Sequence, residues 1–92
     1  MISVNTYMDG KVKSLGFEKN GDGYTVGVLL AGQYTFNTEK EEYITVTAGP
    51  IDFRPPGEAW RTCQAGETIV IAAGVAFDLK ADSTAAYLCA YK

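Results

Sequence analysis

The sequence contains no histidine among its 92 residues. That absence excludes Ser-His-Asp and Cys-His nucleophilic catalysis, imidazole acid-base chemistry and His-rich metal sites. Cysteine is scarce as well, with two residues, Cys63 and Cys89, that form no C-x-x-C pair. Cys89 lies in the apolar run 87–91, where we expect a small buried apolar residue. Neither cysteine requires an oxidising compartment.

Long apolar runs and an excess of basic charge are also missing. No run approaches the roughly 18 residues that a membrane span needs, and residues 1–5 lack the basic and apolar regions of a signal peptide. We therefore expect no membrane partner. Lysine and arginine total 8 against 11 aspartate and glutamate, a net charge of −3. Such a surface disfavours non-specific binding of nucleic acid, so we expect no nucleic-acid partner.

Glycine and proline divide the chain into short segments. Ten glycines and three prolines accompany runs of alternating or β-branched residues, and no segment has a sustained helical period. The pattern predicts strands over residues 12–17, 24–30, 33–37, 43–47, 51–54, 60–63, 68–71, 77–81 and 85–91. Residues 18–23, with Asn-Gly and Asp-Gly pairs, predict a polar hairpin loop. Eight or nine strands in 92 residues indicate one all-β domain, 1–92, built as a barrel or a sandwich.

Two segments have the spacing of cupin motifs. Glu42 precedes Gly49 by seven positions in the first, and Gly66 precedes Gly74 by eight in the second. In the general cupin pattern these segments supply three histidines and one glutamate to a metal. The matching positions here are Phe36, Thr38, Glu42 and Phe77. Because the glutamate is the one metal ligand retained, the resemblance implies a site that holds no metal.

A more specific match covers nearly the whole chain. The segments 11–17, 26–28, 32–36, 44–46 and 87–89 resemble those of the small cupin-fold pyrimidine/purine nucleoside phosphorylases. This resemblance implies an all-β, cupin-like jelly-roll barrel that forms a homodimer in the cytoplasm. It also implies an enzyme that cleaves purine and pyrimidine nucleosides with inorganic phosphate, giving free base and (deoxy)ribose 1-phosphate. Phosphate is then a co-substrate, and no cofactor is expected.

Aromatic side chains at former ligand positions suit a nucleobase. Phe36 and Phe77 offer rings on which any base can stack, so we predict that both bind substrate. Tyr34 has the strand parity of Phe36, and its hydroxyl is predicted to contact ribose or phosphate. The alternatives remain open. The two phenylalanines can simply fill the core, and Tyr34 can be an ordinary half-buried strand tyrosine.

Glu42 and Thr38 are the predicted catalytic residues. A carboxylate can hold ribose hydroxyls or stabilise the positive charge that develops on the sugar. Thr38 has the parity of Phe36 if the strand continues, which would direct its hydroxyl to the same site. Glu42 can instead be one solvated acid in the run 39–42, and Thr38 can cap a turn.

The phosphate site is the least determined part of the sequence. The candidate cations are Lys11, Lys13, Arg54, Arg61 and Lys80, although backbone amides in glycine-containing turns can replace a cation. Trp60 can anchor a dimer interface or cover the barrel. A different class of function also stays open, namely a non-catalytic cupin that binds a small molecule such as a nucleoside or a sugar. A metal-dependent cupin is nearly excluded because Glu42 alone cannot hold a catalytic metal.

Overall fold

The computed structural model describes residues 1–92, which form ten strands and one short 3₁₀ turn at Met8–Gly10. The strands are β1 (Ser3–Tyr7), β2 (Val12–Lys19), β3 (Asp22–Leu29), β4 (Gly32–Asn37), β5 (Glu42–Ala48), β6 (Ile51–Arg54), β7 (Arg61–Cys63), β8 (Thr68–Ile71), β9 (Ala76–Ala81) and β10 (Ala85–Tyr91). No helix of the structure is long and apolar enough to cross a membrane.

The strands form two antiparallel sheets. One has six strands in the order β1-β2-β3-β10-β5-β8, and the other has four in the order β4-β9-β6-β7. β10, the last strand in the chain, pairs with both β3 and β5 and so joins distant parts of the sequence. The all-β prediction is confirmed, while closure into a jelly-roll barrel stays a prediction.

The core lies along the apolar faces of the two sheets because their strands alternate in side-chain direction. In β6, Ile51 and Phe53 are buried, whereas Asp52 and Arg54 between and beside them are partly exposed. β9 repeats this pattern with Phe77, Leu79 and Ala81 inside. Fifteen buried hydrophobic residues from both sheets form one continuous cluster. One face of each strand therefore packs inward, and the other carries polar or exposed side chains.

The predicted hairpin is confirmed between β2 and β3, but its loop is shorter than the predicted range 18–23. Only Asn20 and Gly21 connect the strands, with φ values of 53° and 82°, the signs that a type I′ turn requires. This turn matches the twist of the flanking strands. Lys19 consequently pairs with Asp22 in the ladder instead of lying in a loop.

β1 is a strand that the sequence analysis did not predict. It lies at the edge of the larger sheet and pairs only with β2. Four of its five side chains are exposed, so it lacks the buried alternation by which an interior strand is recognised. Its last residue, Tyr7, leads into consecutive positive φ angles at Met8, Asp9 and Gly10. Trp60, predicted to begin a strand, lies just before β7.

Candidate functional site

A cavity of about 440 Å³ lies between the two sheets, within the usual size range of small-molecule sites. Eleven of its 17 lining residues are hydrophobic. The lining comprises Tyr7, Val12, Ser14, Gly23, Leu29, Phe36, Asn37, Glu39, Lys40, Glu42, Ile44, Ile51, Phe53, Phe77, Leu79, Tyr87 and Tyr91. The inner faces of both sheets supply the apolar wall, the β4–β5 connection adds Glu39 and Lys40, and the start of β5 adds Glu42.

Three aromatic rings meet on one side of this cavity. Phe36 and Phe77 are direct partners across the β4–β9 ladder, and their ring centroids lie 6.3 Å apart at an interplanar angle of 36°. Tyr7 meets Phe36 edge to face, with centroids 5.6 Å apart. Phe77 is 3% exposed and belongs to the core, whereas Phe36 is only partly buried. Phe36 thus has ring surface that a planar ligand can cover.

Glu42 places a carboxyl group in the same cavity. It is the first residue of β5, where it pairs with Tyr91 of β10 and Ile71 of β8. The thiol of Cys89 donates a hydrogen bond to its Oε1 at 3.5 Å. Burial raises the pKa of Glu42, and the bond from Cys89 lowers it in part. The carboxylate is therefore poorly solvated and has one weak protein donor.

Cys89 keeps its proton under neutral conditions. Burial and the neighbouring Glu42 carboxylate raise the pKa of the thiol to about 12. The thiol therefore acts as a hydrogen-bond donor toward Glu42. The sequence predicted a small buried residue here, and Cys89 is indeed 1% exposed. Its contact with the site carboxyl was not predicted.

Two tyrosines of β10 add hydroxyl groups to the wall. Tyr87 and Tyr91 line the cavity on the same side of the strand as Cys89. Burial raises the pKa of Tyr87 to about 12 and also raises that of Tyr91. Both phenols accordingly stay protonated at neutral pH. The Tyr91 hydroxyl shares a hydrogen bond of 3.0 Å with Thr25 Oγ1.

The rim of the cavity carries the exposed side chains of Asn37, Glu39 and Lys40. Lys40 is the only basic residue in the lining. None of the five cations that the sequence analysis considered for phosphate lies there. Arg54 and Lys80 instead lie on the opposite face of the four-stranded sheet, because side chains alternate in direction along β6 and β9.

Three of the five predicted site residues meet in the cavity, namely Phe36, Phe77 and Glu42. Tyr34 does not line it. Its hydroxyl donates to the Leu30 carbonyl at 2.8 Å and packs against Gly32. Tyr34 is 6% exposed, and a buried hydroxyl needs such a partner. Its position supports the alternative of a structural strand tyrosine and not the predicted contact with ribose or phosphate.

Thr38 also lies outside the cavity lining, in the connection between β4 and β5. Its Oγ1 donates to the Ala72 carbonyl at 2.6 Å and accepts from the Val75 amide at 3.1 Å. Its own amide and carbonyl bond to Val75 and Gly74. Thr38 thereby fastens this connection to the turn between β8 and β9. The hydroxyl is committed to the backbone, so we leave Thr38 out of the proposed catalytic group.

Five residues that were not predicted from the sequence also line the cavity, namely Tyr7, Ser14, Lys40, Tyr87 and Tyr91. The two β10 tyrosines had a usable signal, since they share strand parity with Cys89, which was expected to be buried. Tyr7 was not predicted because its edge strand, β1, was not predicted. Lys40 was not predicted because it stands in a run of charged residues, which usually indicates a solvated loop.

No group of three or more Cys, Asp or Glu side chains could hold a metal ion.

Comparison with known proteins agrees with this architecture. The family model for pyrimidine/purine nucleoside phosphorylase matches residues 2–91. The chain belongs to that family. Proteins named pyrimidine/purine nucleoside phosphorylase from Photobacterium profundum and Vibrio vulnificus are similar to it, at 45% and 46% identity over 92 residues. Each alignment covers 99% of this chain and 99% of the relative.

Solved structures give the same picture of the fold. A protein of unknown function from Vibrio parahaemolyticus superposes with a TM-score of 0.96 at 41% identity, covering 100% of this chain and 99% of that one. An Acinetobacter protein of unknown function has a TM-score of 0.91 at 21% identity, over 98% and 90% of the two chains. A putative ethanolamine utilization protein from Salmonella typhimurium has 0.78 at 13%, over 99% and 93%. The last two likenesses concern the fold alone.

Proposed function

We propose that this protein cleaves purine and pyrimidine nucleosides with inorganic phosphate in the cavity between its sheets. One observation carries the proposal: partly exposed aromatic surface and a poorly solvated carboxyl group face the same cavity of about 440 Å³. That combination offers a surface for the base and a charge for the sugar. The family to which the chain belongs supports the same reaction.

The base lies against Phe36, with Phe77 behind it. Stacking on an aromatic ring recognises the π-face that every nucleobase has, without a fixed set of hydrogen bonds. Purines and pyrimidines can therefore share the site. The apolar lining around the rings also excludes water from the bond that breaks.

Glu42 acts on the sugar. In phosphorolysis a phosphate oxygen bonds to the anomeric carbon while the bond from that carbon to the base nitrogen breaks. The base leaves with the bonding electron pair and takes up the proton that hydrogen phosphate gives up, and the sugar carries positive charge in the transition state. A carboxylate in an apolar wall stabilises such charge more than one in water does. Cys89 holds one carboxylate oxygen, which leaves the other for the sugar.

Phosphate enters at the rim beside Lys40. This is the one basic side chain in the lining, and it makes no ion pair with another residue. An ammonium group at the rim can hold a phosphate oxygen as a point charge. Asn37, also at the rim, adds amide donors to the same region.

The proposal is tested by phosphate-dependent release of base from inosine, adenosine, uridine and thymidine. We expect release of base together with a sugar 1-phosphate, and no release when phosphate is omitted. Activity should be the same before and after treatment with a chelator. Binding of nucleosides without cleavage would contradict the proposal and favour the alternative of a non-catalytic binding protein.

We further propose that the protein is a homodimer. On the outer face of the larger sheet, Val4, Leu15, Val26 and Leu88 are register neighbours across four strands. The first three are 72%, 44% and 40% exposed, an apolar row that a second copy can cover. Trp60, the other candidate, already contacts Arg54 and Lys80 of its own chain. Light scattering should report a dimer at micromolar protein and a monomer after Leu15→Lys.

A cytoplasmic setting without a nucleic-acid partner completes the proposal. Both cysteines are free and buried, which suits a reducing compartment. The net charge of −3 suits a small substrate better than a polyanion. Cell fractionation and a gel-shift assay test these two points, and enrichment in a membrane fraction or a stable DNA complex would contradict them.

A further inference from the structure

Gly27 occupies a position in the middle of β3 where a strand usually carries a side chain. It is buried, and it pairs with Ser14 on β2 and with Tyr87 on β10. Its φ is not positive, so the backbone conformation does not demand glycine. Glycine inside a strand often marks the close approach of another group.

The group that approaches is the ring of Tyr87. A Cβ atom added at Gly27 would lie 2.5 Å from the Tyr87 hydroxyl oxygen and 2.7 Å from Cε1. Carbon atoms that are not bonded sit about 3.5–4.0 Å apart. The outer end of the ring therefore rests directly on the Gly27 backbone. Since Tyr87 is the cross-strand neighbour of Gly27, its side chain leans sideways over β3 and does not stand upright.

The orientation of the Tyr87 ring determines how much space the cavity has. Tyr87 and Ser14 both line it, and they flank Gly27 in the sheet. A ring that lies flat on the sheet adds little height to that wall. A methyl group at position 27 would occupy the place of the ring and force it to tilt toward the cavity, because the backbone of β3 closes the other side.

We infer that Gly27 is a specificity-determining residue, which admits the larger purine bases by letting Tyr87 lie flat on the wall of the cavity. The inference rests on the proposed nucleoside phosphorolysis and extends it to the size of the base. Pyrimidines, with one ring, tolerate a narrower cavity than purines, with two. One added carbon in an apolar pocket typically changes discrimination by about 10- to 200-fold.

The first experiment compares Gly27→Ala with the native protein on adenosine and uridine. We expect the ratio of kcat/KM for adenosine to that for uridine to fall by roughly tenfold. Gly16→Ala is the matched control, since its added Cβ would meet the Ser3 side chain and Gly16 does not line the cavity. Its ratio should stay within about twofold of the native value.

A double-mutant cycle tests the cause. Tyr87→Leu removes the ring, so Gly27→Ala should have no further effect on the ratio in that background. By itself Tyr87→Leu should move the ratio the opposite way, toward adenosine. This single variant also carries the test if Gly27→Ala does not fold, and an unchanged ratio would then overturn the inference.

Calorimetric affinities for the same two nucleosides separate this inference from the proposed function. If the native protein binds both nucleosides but releases no base, phosphorolysis is wrong, and a tenfold shift in the affinity ratio of Gly27→Ala still supports the role of Gly27. If the native protein releases base and folded Gly27→Ala keeps the native ratio, the inference is wrong and the function stands. Absence of nucleoside binding would overturn both.

Discussion

The outer face of the four-stranded sheet and the cavity on its inner side both contain charged and aromatic side chains, but these side chains differ in pairing. On the outer face Arg54 donates to Asp78 at 2.7 and 3.1 Å, and Thr35 donates to the same carboxylate at 2.6 Å. The Trp60 ring has the Arg54 guanidinium 4.5 Å and the Lys80 ammonium 4.1 Å from its centroid. The charged groups and the aromatic ring of this face are thus partnered with one another by hydrogen bonds and cation–π contacts.

The inner face borders a cavity whose polar groups have fewer partners. Glu42 receives one thiol hydrogen bond at 3.5 Å, Lys40 makes no ion pair, and Phe36 keeps part of its ring uncovered. A concave apolar site with a few polar groups free to engage a ligand is the usual form of a binding site. Charged side chains occur both on the outer face and in the cavity, and the presence or absence of partners distinguishes the two regions.

The largest effect should come from exchanging one carboxyl group in the cavity and one on the outer face. Glu42→Gln keeps the shape and removes the charge, so we expect kcat to fall by about a hundredfold while KM changes little, because the carboxylate acts on the transition state. Asp78→Asn is the matched change on the outer face and should leave kcat within about twofold. Steady-state kinetics with inosine measures kcat and KM of both variants. Equal decreases in kcat would contradict the distinction between the cavity and the outer face.

Aromatic substitutions should give the next largest effect. Phe36→Ala removes the stacking surface, and we expect kcat/KM to fall by roughly tenfold to a hundredfold, as loss of about 1–3 kcal/mol of stacking implies. The decrease should be similar for purine and pyrimidine nucleosides. Trp60→Ala serves as the control on the outer face. A comparable loss of activity in this variant would indicate that the base binds on the outer face and not in the cavity.

A smaller effect should separate the two lysines. Lys40→Gln should raise KM for phosphate by about fivefold, the change that corresponds to roughly 1 kcal/mol for an exposed ion pair, with kcat nearly unchanged. Lys80→Gln, beside Trp60, should not alter that KM. The measurement is a phosphate titration at saturating nucleoside. If Lys80→Gln raises the KM and Lys40→Gln does not, phosphate binds elsewhere.

The smallest effects concern stability. Neutralising Glu42 and neutralising Asp78 should change Tm at pH 7 in opposite directions. Burial raises the pKa of Glu42 above its value in the unfolded chain. The folded state is therefore destabilised relative to the unfolded chain as pH rises and the carboxyl group ionises. Glu42→Gln should therefore increase Tm at pH 7 by a few degrees, and the gain should vanish below about pH 4, where the unfolded chain is also protonated.

Hydrogen bonds from Thr35 and Arg54 lower the pKa of Asp78. The ionised form is then favoured on folding, and its contribution to stability is lost as pH falls through the folded pKa. Asp78→Asn should slightly lower Tm at pH 7, with a difference that shrinks in acid. Thermal scans of both variants from pH 3 to pH 8 measure these trends, and trends of the same sign would contradict the contrast in solvation.

Strand parity and motif spacing predicted the all-β class and three lining residues. Alternation places Phe36 and Phe77 on inner faces, and their pairing across β4 and β9 follows from the fold. Glu42 was predicted because its spacing to Gly49 matches a cupin segment. These features are local, since they depend on the period of a strand or on short intervals along the chain.

The remaining features depend on contacts between distant segments. β10 lies between β3 and β5, and only that placement brings Tyr87 onto Gly27 and Cys89 beside Glu42. Thr38 has the parity of a site residue, but the turn between β8 and β9 takes its hydroxyl. A single sequence does not specify which of several polar groups a distant turn will use, so strand parity alone could not show that the Thr38 hydroxyl bonds to the backbone of that turn.

A crystal structure of the protein with inosine and phosphate tests the central claim most directly. We predict that the base covers Phe36 in the cavity, that a ribose hydroxyl or the anomeric carbon lies beside the free oxygen of Glu42, and that phosphate lies at the Lys40 rim. The same soak should leave the outer face around Trp60 empty. A nucleoside bound at Trp60, with the cavity between the sheets vacant, would contradict the account.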